Sequence, residues 1–379
     1  MRALHREKNG RNPFLFRAPG RVSVIGAHTD YAEGFCIPAA LDLSTLVAAS
    51  PSSDGQIRIH TVELQQEAVL PLQALGDKGY GHWSDYIAGV ARELQRAGVD
   101  LHGATLTISG DVPIGAGLSS SASLEVAAAA ALLRVAGAEM PGLEIARLAR
   151  RAENDYVGAP CGIMDQFIAV HGVAGNALVL DCRTLTAEPA PIPDTVRLVI
   201  LNSMVKHSIA GGEYGVRRAQ VAEATRMMTA LDPAVRALRD VSLGALNAAQ
   251  EQMDCVVFRR ARHIVTENQR VLDLAAALRS GDLRQAGKIM VASHASYRDD
   301  FDGSCEECDL LVELAVALPS CYGSCLTGGG FGGCTVSLVD AEQSAAFAGA
   351  LREQYRSRTG IEPQYFIPKV ADGLHEVSL

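Results

Sequence analysis

In the stretch Asp111-Val-Pro-Ile-Gly-Ala-Gly-Leu-Ser-Ser-Ser-Ala-Ser123, a glycine turn runs into three consecutive hydroxyls and then into an alanine-rich segment. A glycine loop that closes on a helix N-terminus makes an anion site. Gly115 and Gly117 let the backbone turn its N–H groups inward, and the helix end adds partial positive charge. The hydroxyls of Ser119, Ser120 and Ser121 can reach phosphate oxygens or a magnesium ion. No lysine ends the loop, so it is not a Walker A sequence. The competing reading is a serine cluster that only caps a helix.

Two further constellations carry candidate chemistry. In Arg17-Ala-Pro-Gly-Arg21-Val-Ser-Val-Ile-Gly-Ala-His28-Thr-Asp30-Tyr31, a buried-looking strand delivers a glycine and then polar residues, as folds do when presenting side chains to a ligand. His28 and Asp30 could hydrogen-bond vicinal hydroxyls such as those of a sugar, or merely fix a turn. In Cys161-Gly-Ile-Met-Asp165-Gln166-Phe167, Gly158 and Gly162 imply tight backbone before a carboxylate that opens a helix. Asp165 is therefore either an N-cap or a base. Upstream, Glu153 could offer oxygen to magnesium, which prefers hard oxygen ligands, although spacing alone favours a solvated helix charge.

Periodicity identifies the elements that must hold these groups. Residues 104–110 alternate apolar Leu106 and Ile108 with Thr105, Thr107 and Ser109, which predicts a strand entering the serine loop. Behind the loop, residues 124–135 are nearly all Ala, Leu and Val, and Gly137 is placed to stop the helix. A short strand over 21–26, helices over 83–97 and 142–156, and strands over 177–181 and 196–202 are expected around them. The proline-rich Glu188-Pro-Ala-Pro-Ile-Pro193 reads as a connector. The second half is more helical, with apolar residues at helical spacing over 213–231, 257–279 and 283–297. A second glycine loop, Leu326-Thr-Gly-Gly-Gly-Phe-Gly-Gly-Cys334, precedes a strand over 335–339. Together these predict an α+β protein of two lobes, residues 1–195 and 196–379, with a ligand between them.

Bulk properties exclude several function classes. A chain of 379 residues has room for two domains or three, and 48% hydrophobic with 20% charged residues is ordinary for a globular protein. A net charge of -9 without a basic stretch argues against nucleic-acid binding, so a nucleotide would need a local positive site. The longest apolar run, Val126 to Leu133, is too short to span a membrane, and the charged N-terminus lacks a signal-type apolar segment. Nine scattered cysteines fit reduced thiols in a cytoplasm. Cys305, Cys308, Cys321 and Cys325 have a zinc-compatible spacing, but Cys308 would lie in the first turn of an amphipathic helix over 306–318, so ordinary buried thiols are expected.

Taken together, G-R-V-x-x-I-G-x-H-T-D-Y, P-x-G-x-G-L-S-S-S-A-S, C-G-I-M-D-Q and T-G-G-G-F-G-G-C resemble the galactokinases of the GHMP kinase superfamily. They stand in the family's order from about Arg17 to beyond Leu338, and the stretches 202–208, 213–218 and 293–300 are similar to galactokinases too. The resemblance implies a two-lobed fold with the active site between the lobes. It also implies transfer of the γ-phosphoryl group of ATP, with Mg2+, to the anomeric hydroxyl of a sugar. On it, Asp165 would be the catalytic base, and Arg21 its cationic neighbour that offsets charge on the transferring group. Ser121 and Glu153 match the magnesium contacts. Gly115, Ala116, Gly117, Leu118, Ser119, Ser120, Ser121, Ala122 and Ser123 match the phosphate loop, and Trp83 the aromatic residue beside adenine. Ala27, His28, Asp30, Gly162 and Tyr214 fall at sugar-contact positions. The loop 328–333 would pack against the active site rather than bind phosphate. The implied partners are ATP and a small-molecule sugar, for a monomer that binds neither nucleic acid nor membrane.

The chain departs from the pattern at Ala27, where galactokinases carry Glu: G-A-H-T-D-Y stands in place of G-E-H-T-D-Y. That Glu resembles a ligand for the hydroxyl on the sugar's sixth carbon. Losing a charged acceptor there costs roughly 1.5–3 kcal/mol in the contact, and it removes a charge that would repel a carboxylate. Related galacturonokinases look similar, with a small residue before the His. Tyr214 and H-T-D-Y match galactokinases proper, and the motif gains no cation to pair with a carboxylate. D-Galactose is therefore the expected substrate, with D-galacturonate or a broader galactose-like set as the alternative. A non-catalytic sugar and ATP sensor is the remote alternative, and the intact serine loop, Arg21 and Asp165 weigh against it. Ser23 for the usual Asn and Cys325 for the usual Arg remove no catalytic group.

Overall fold

Two long strands rich in buried apolar residues, β1 (Phe14–Ile25) and β2 (Phe35–Pro51), form the spine of the first sheet and follow a short helix, α1 (Arg2–Asn9). The computed structural model describes residues 1–206 and 210–378, so His207 and Ser208 of the 202–208 motif lie outside the described residues. β1 is longer than the strand expected over 21–26. It pairs antiparallel with β2 from Phe14↔Ala49 to Ile25↔Ile37, with a register break between Pro19 and Arg21. Gly20 sits in that break because a Cβ there would lie 2.8 Å from the carbonyl oxygen of Leu118. The bare backbone lets the serine loop dock on β1, where Arg21 N–H donates to Leu118 O at 3.0 Å.

β3 (Gln56–Thr61), β4 (Gln66–Pro71), α2 (Asp85–Arg96) and β5 (Ala104–Gly110) come next, and β5 lies between β2 and β3. α3 (Ser120–Ala136) ends at Gly137 with a left-handed φ of 67°, as the sequence predicts. It is buried on nearly every side, with Ala127, Ala128 and Ala129 fully enclosed, so small side chains let the sheet and neighbouring helices approach closely. The helix expected over 142–156 divides into α4 (Gly142–Arg151) and a wider π-turn over Ala152–Val157, stopped by Gly158. α5 (Met164–His171), β6 (Asn176–Asp181) and β7 (Thr186–Pro191) complete this half.

β7 corrects the connector reading of the proline segment. It pairs antiparallel with β6, as in Leu178↔Pro189, and it is an edge strand, where proline's missing donor is tolerated. The second sheet follows, in the order β11–β8–β10–β9, from β8 (Val196–Lys206), β9 (Cys321–Thr327), β10 (Gly332–Asp340) and β11 (Gln364–Phe366). Around it stand α6 (Ala210–Leu231), α7 (Leu243–Ala248), α8 (Cys255–Ser280), α9 (Leu283–Ser296), α10 (Glu306–Ala317) and α11 (Ser344–Thr359). A last pair of residues, β12 (His375–Glu376), returns to the outer edge of β1.

The two lobes share a core. Val22, Val24 and Ile37 of the first sheet pack with Ile200, Val336 and Leu338 of the second and with Val271 and Leu274 of α8. Fully burying side chains of this size stabilises by roughly 1.5–3 kcal/mol each. Cys325 joins the seam by donating its thiol to Val24 O at 2.9 Å. Cys308 is buried in α10, while Cys305 and Cys321 are half-buried. No described helix is long and apolar enough to cross a membrane.

Candidate active site

Where the lobes meet, β1 supplies Arg21, the serine loop supplies Ser119, and the first turn of α5 supplies Asp165. Arg21 is 5% exposed. Its Nε and Nη2 each meet one oxygen of Asp165 at 2.8 Å, and Nη1 donates to Gly117 O. This is the two-pronged geometry in which a guanidinium fixes a carboxylate in orientation as well as charge. The N-cap of α5 is Ile163, and no side chain caps that helix, so Asp165 is not an N-cap.

Ser119 occupies the N-cap position of α3 without making a capping bond; its hydroxyl donates to Asp165 instead. It holds a left-handed φ of 60°, as do Gly115 at 71° and Gly117 at 81°. A non-glycine residue in that region costs on the order of 1–3 kcal/mol and recurs at functional sites. The rest of the loop divides by burial. Ala116, Leu118 and Ala122 point into the core. Ser123 is fully buried, donates to Ala18 O at 2.8 Å and bonds Thr45 Oγ1 at 2.8 Å, so it braces α3 against β1 and β2. Gly115, Ser120 and Ser121 line a cleft of about 370 Å³ together with Trp83, whose indole N–H is buried without a partner. The second glycine loop backs this arrangement, since a Cβ on Gly328 would lie 3.0 Å from Gly117 O.

The π-turn after α4 carries Glu153 inward to 8% exposure, which excludes the solvated-charge reading. Burial first, then the charge of Asp165, push its carboxyl up, against hydrogen bonds from Ser121, Cys161 and Gln166. Gln166 Nε2 donates to Glu153 at 2.6 Å and to Glu125 at 3.2 Å. Glu125 is fully buried, and burial followed by the Glu153 charge raises it further still. One oxygen each of Glu125 and Gln166 is buried without a partner. Two adjacent carboxylates, an excess of negative charge and a serine hydroxyl are a donor set that fits a hard divalent cation such as Mg2+ at Ser121 and Glu153. Sequence reasoning missed Glu125 and Gln166. The available signal was a charged residue inside the apolar run of α3, which only a paired or shared role explains.

The loop between β1 and β2 carries the remaining residues. Asp30 accepts Tyr31 N–H at 2.9 Å, and its carboxylate lies flat over Gly162. A Cβ on Gly162 would fall 1.6 Å from Asp30 Oδ2, so only glycine leaves room. Burial, and secondarily the charge of Asp165, push Asp30 up to about 6. His28 adopts a left-handed φ of 61° and stands in an aromatic box, with ring centroids 4.9 Å from Tyr214 and 4.5 Å from Phe301. Its Nε2 faces Tyr297 OH at 3.1 Å and Gly329 O at 3.4 Å, while Nδ1 faces Tyr31 OH at 2.9 Å. A carbonyl can only accept, so Nε2 carries the proton and Nδ1 accepts from Tyr31. Both nitrogens are thus engaged within the protein. Ala27 is half-buried, with its methyl against the cluster that contains Tyr297 and Phe301. Sequence reasoning did not single out Tyr297 or Phe301. Ser23 and Cys325, the two minor departures, pack where β1 meets β9.

The profile for the GHMP kinases N terminal domain matches residues 85–173, the galactokinase galactose-binding signature residues 3–51, and the GHMP kinases C terminal profile residues 274–357. A galactokinase of Chloroflexus aurantiacus is 45% identical over 360 residues, covering 95% of this chain and 92% of that protein. One of Roseiflexus sp. is 44% identical over 363 residues, covering 96% and 93%. The crystal structure of Lactococcus lactis galactokinase complexed with galactose superposes with a TM-score of 0.94 at 32% identity, covering 99% of this chain and 98% of that one. With this degree of likeness along its whole length, the chain belongs to the galactokinase family of the GHMP kinases.

Proposed function

We propose that the protein transfers the γ-phosphoryl group of ATP to the anomeric hydroxyl of D-galactose. The observation that carries this reading is the Arg21–Asp165 pair, fixed at the mouth of the serine loop and beside Asp30 and Gly162. Asp165 accepts the hydroxyl proton as the oxygen attacks the γ-phosphorus, the bond to the β-phosphate breaks and ADP leaves, while Arg21 offsets the charge that develops on the phosphoryl group. The triphosphate lies along the serine loop and the α3 N-terminus, with the base towards Trp83. Ser121 and Glu153 would hold a Mg2+ ion, which would supply positive charge against the phosphates. Asp30, Gly162, Tyr214, the ring of His28 and Ala27 form the sugar side. We take the lobes to divide near residue 195, a reading supported by β8 opening the second sheet, although β12 returns to the first. All nine cysteines are free thiols, which fits an enzyme of a reducing compartment such as the cytoplasm.

The test is a kinase assay with galactose, galacturonate, 2-deoxygalactose, arabinose and glucose in parallel. Galactose is expected to lead. Ala27→Glu then raises the preference for galactose over galacturonate by roughly 10- to 150-fold, the equivalent of one charge-assisted hydrogen bond. An unchanged ratio would place position 27 away from the sixth carbon. If the unmodified enzyme prefers galacturonate, the small residue at 27 decides for that substrate instead.

Asp30 also predicts a pH dependence. A carboxyl raised to about 6 is ionised at neutral pH and takes up its proton as pH falls through 6. An ionised acceptor binds a hydroxyl more strongly than a neutral one, so galactose affinity weakens below pH 6. Calorimetric titration with galactose alone, between pH 5 and 8, measures it. His28 is held down to about 3 by burial and then by His263, so it stays neutral throughout and cannot produce that limb. A flat profile would remove Asp30 from the sugar contacts.

A further inference from the structure

Both ends of the loop that carries Ala27, His28 and Asp30 are held by one buried face of α8, a helix of the opposite lobe. Glu267 Oε1 accepts Gly26 N–H at 2.9 Å. His263, one turn earlier, faces Ala27 O at 3.1 Å with Nε2, which must be the donor because the carbonyl cannot be. Asn268 Oδ1 accepts Phe35 N–H at 2.8 Å at the far end. Glu267 and His263 are fully buried, and Asn268 is 7% exposed.

These three side chains are themselves fixed from behind. Ser293 donates to Glu267 Oε1 and Arg270 to Oε2, each at 2.6 Å. Ser296 bonds His263 Nδ1 at 3.0 Å, and Asn268 Nδ2 donates to Ile264 O at 2.8 Å. Close approach is built in, for a Cβ on Gly34 would fall 2.5 Å from Asn268 Oδ1. Ordinary packing of a helix on a loop needs apolar contact. It does not need a buried carboxylate aimed at a single backbone N–H, an arrangement that is costly unless every lone pair is used.

We propose that Glu267, with His263 and Asn268, is a positioning residue for the sugar half-site: it sets the backbone of residues 26–35 so that Ala27, His28 and Asp30 face the acceptor in one geometry. The proposal rests on reading that loop as the sugar side of the site. Glu267 touches neither substrate nor the reacting atoms, and its effect is transmitted through Gly26. It therefore acts on sugar binding and leaves nucleotide binding alone.

Galactose phosphorylation by the unmodified protein is measured first. Its absence would sink the sugar reading itself, independently of any role for Glu267. Glu267→Leu is then expected to raise KM for galactose at least tenfold while KM for ATP stays within twofold. Glu267→Gln, which keeps an acceptor for Gly26, returns KM for galactose to within threefold of the unmodified value. If Glu267→Leu does not fold, His263→Phe keeps a ring beside Tyr297 and Phe301, whose centroids lie 5.6 and 4.8 Å from that of His263, removes the Ala27 contact and carries the same expectation of a selective rise. An equal change in both KM values, or a fall in thermal midpoint with galactose KM unmoved in every folded variant, would overturn the positioning role.

Discussion

Asp165→Asn should lower sugar phosphorylation by roughly 10²–10⁴-fold, the usual weight of a general base, while ATP binds as before. Asparagine is the informative substitution because it keeps the volume and one acceptor oxygen for Arg21 but cannot take up the hydroxyl proton. Asp165→Ala would confound the result. Arg21 is 5% exposed, and stripping its partner leaves a buried guanidinium unpaired, at a cost of about 3–5 kcal/mol when burial is complete. The Asp165 side chain is 23% exposed at the mouth, which pulls the penalty towards the lower end. Single-turnover transfer from labelled ATP, with nucleotide affinity measured separately by calorimetry, divides the two effects. Turnover within tenfold of the unmodified enzyme would deny Asp165 the role of base.

Gly162→Ala should reduce galactose affinity on the order of 10- to 150-fold, the worth of a charge-assisted hydrogen bond. The backbone at 162 would accept alanine; the obstruction is Asp30. The new methyl would lie 1.6 Å from Asp30 Oδ2 and 2.1 Å from its Cγ. Asp30 is tethered by Tyr31 N–H, so its carboxylate must swing off the ligand or the loop must shift. ATP affinity, which we assign to the serine loop, should remain within twofold. In Asp30→Ala/Gly162→Ala the clash disappears but the acceptor is gone too. The double variant should therefore bind no worse than Asp30→Ala alone, a marked departure from additivity. Normal galactose binding by Gly162→Ala would show that the carboxylate over Gly162 is not the sugar's acceptor.

Local rules make part of this site legible. The alternation of 104–110, the glycines at 115 and 117 and the stop at Gly137 depend on neighbours a few residues away, and β5, the serine loop and α3 take the expected course. Glu153 reads as surface because a lone helix carboxylate is usually solvated, yet it stands four residues after Ala149 on the buried face that runs from α4 into the π-turn. β7 is hidden by its prolines, which forbid a central strand but not an edge. Ser123 looks like a fourth loop hydroxyl, yet it lies one turn into α3 and faces Thr45. The contacts of Tyr297 and α8 join residues more than two hundred positions apart, and no window along the chain contains them.

The short return of β12 closes the outer edge of β1. Glu376 pairs with Phe16, and Arg2 donates to Ser378 O at 3.0 Å, so α1 and the segment around β12 lie side by side. Cutting the last few residues would bare the outer edge of the strand that bears Arg21, five positions from the Phe16 pairing. β12 thus acts as a cover for an edge that would otherwise offer unpaired backbone groups to another strand, and substitutions that unseat it would loosen the strand that positions Arg21.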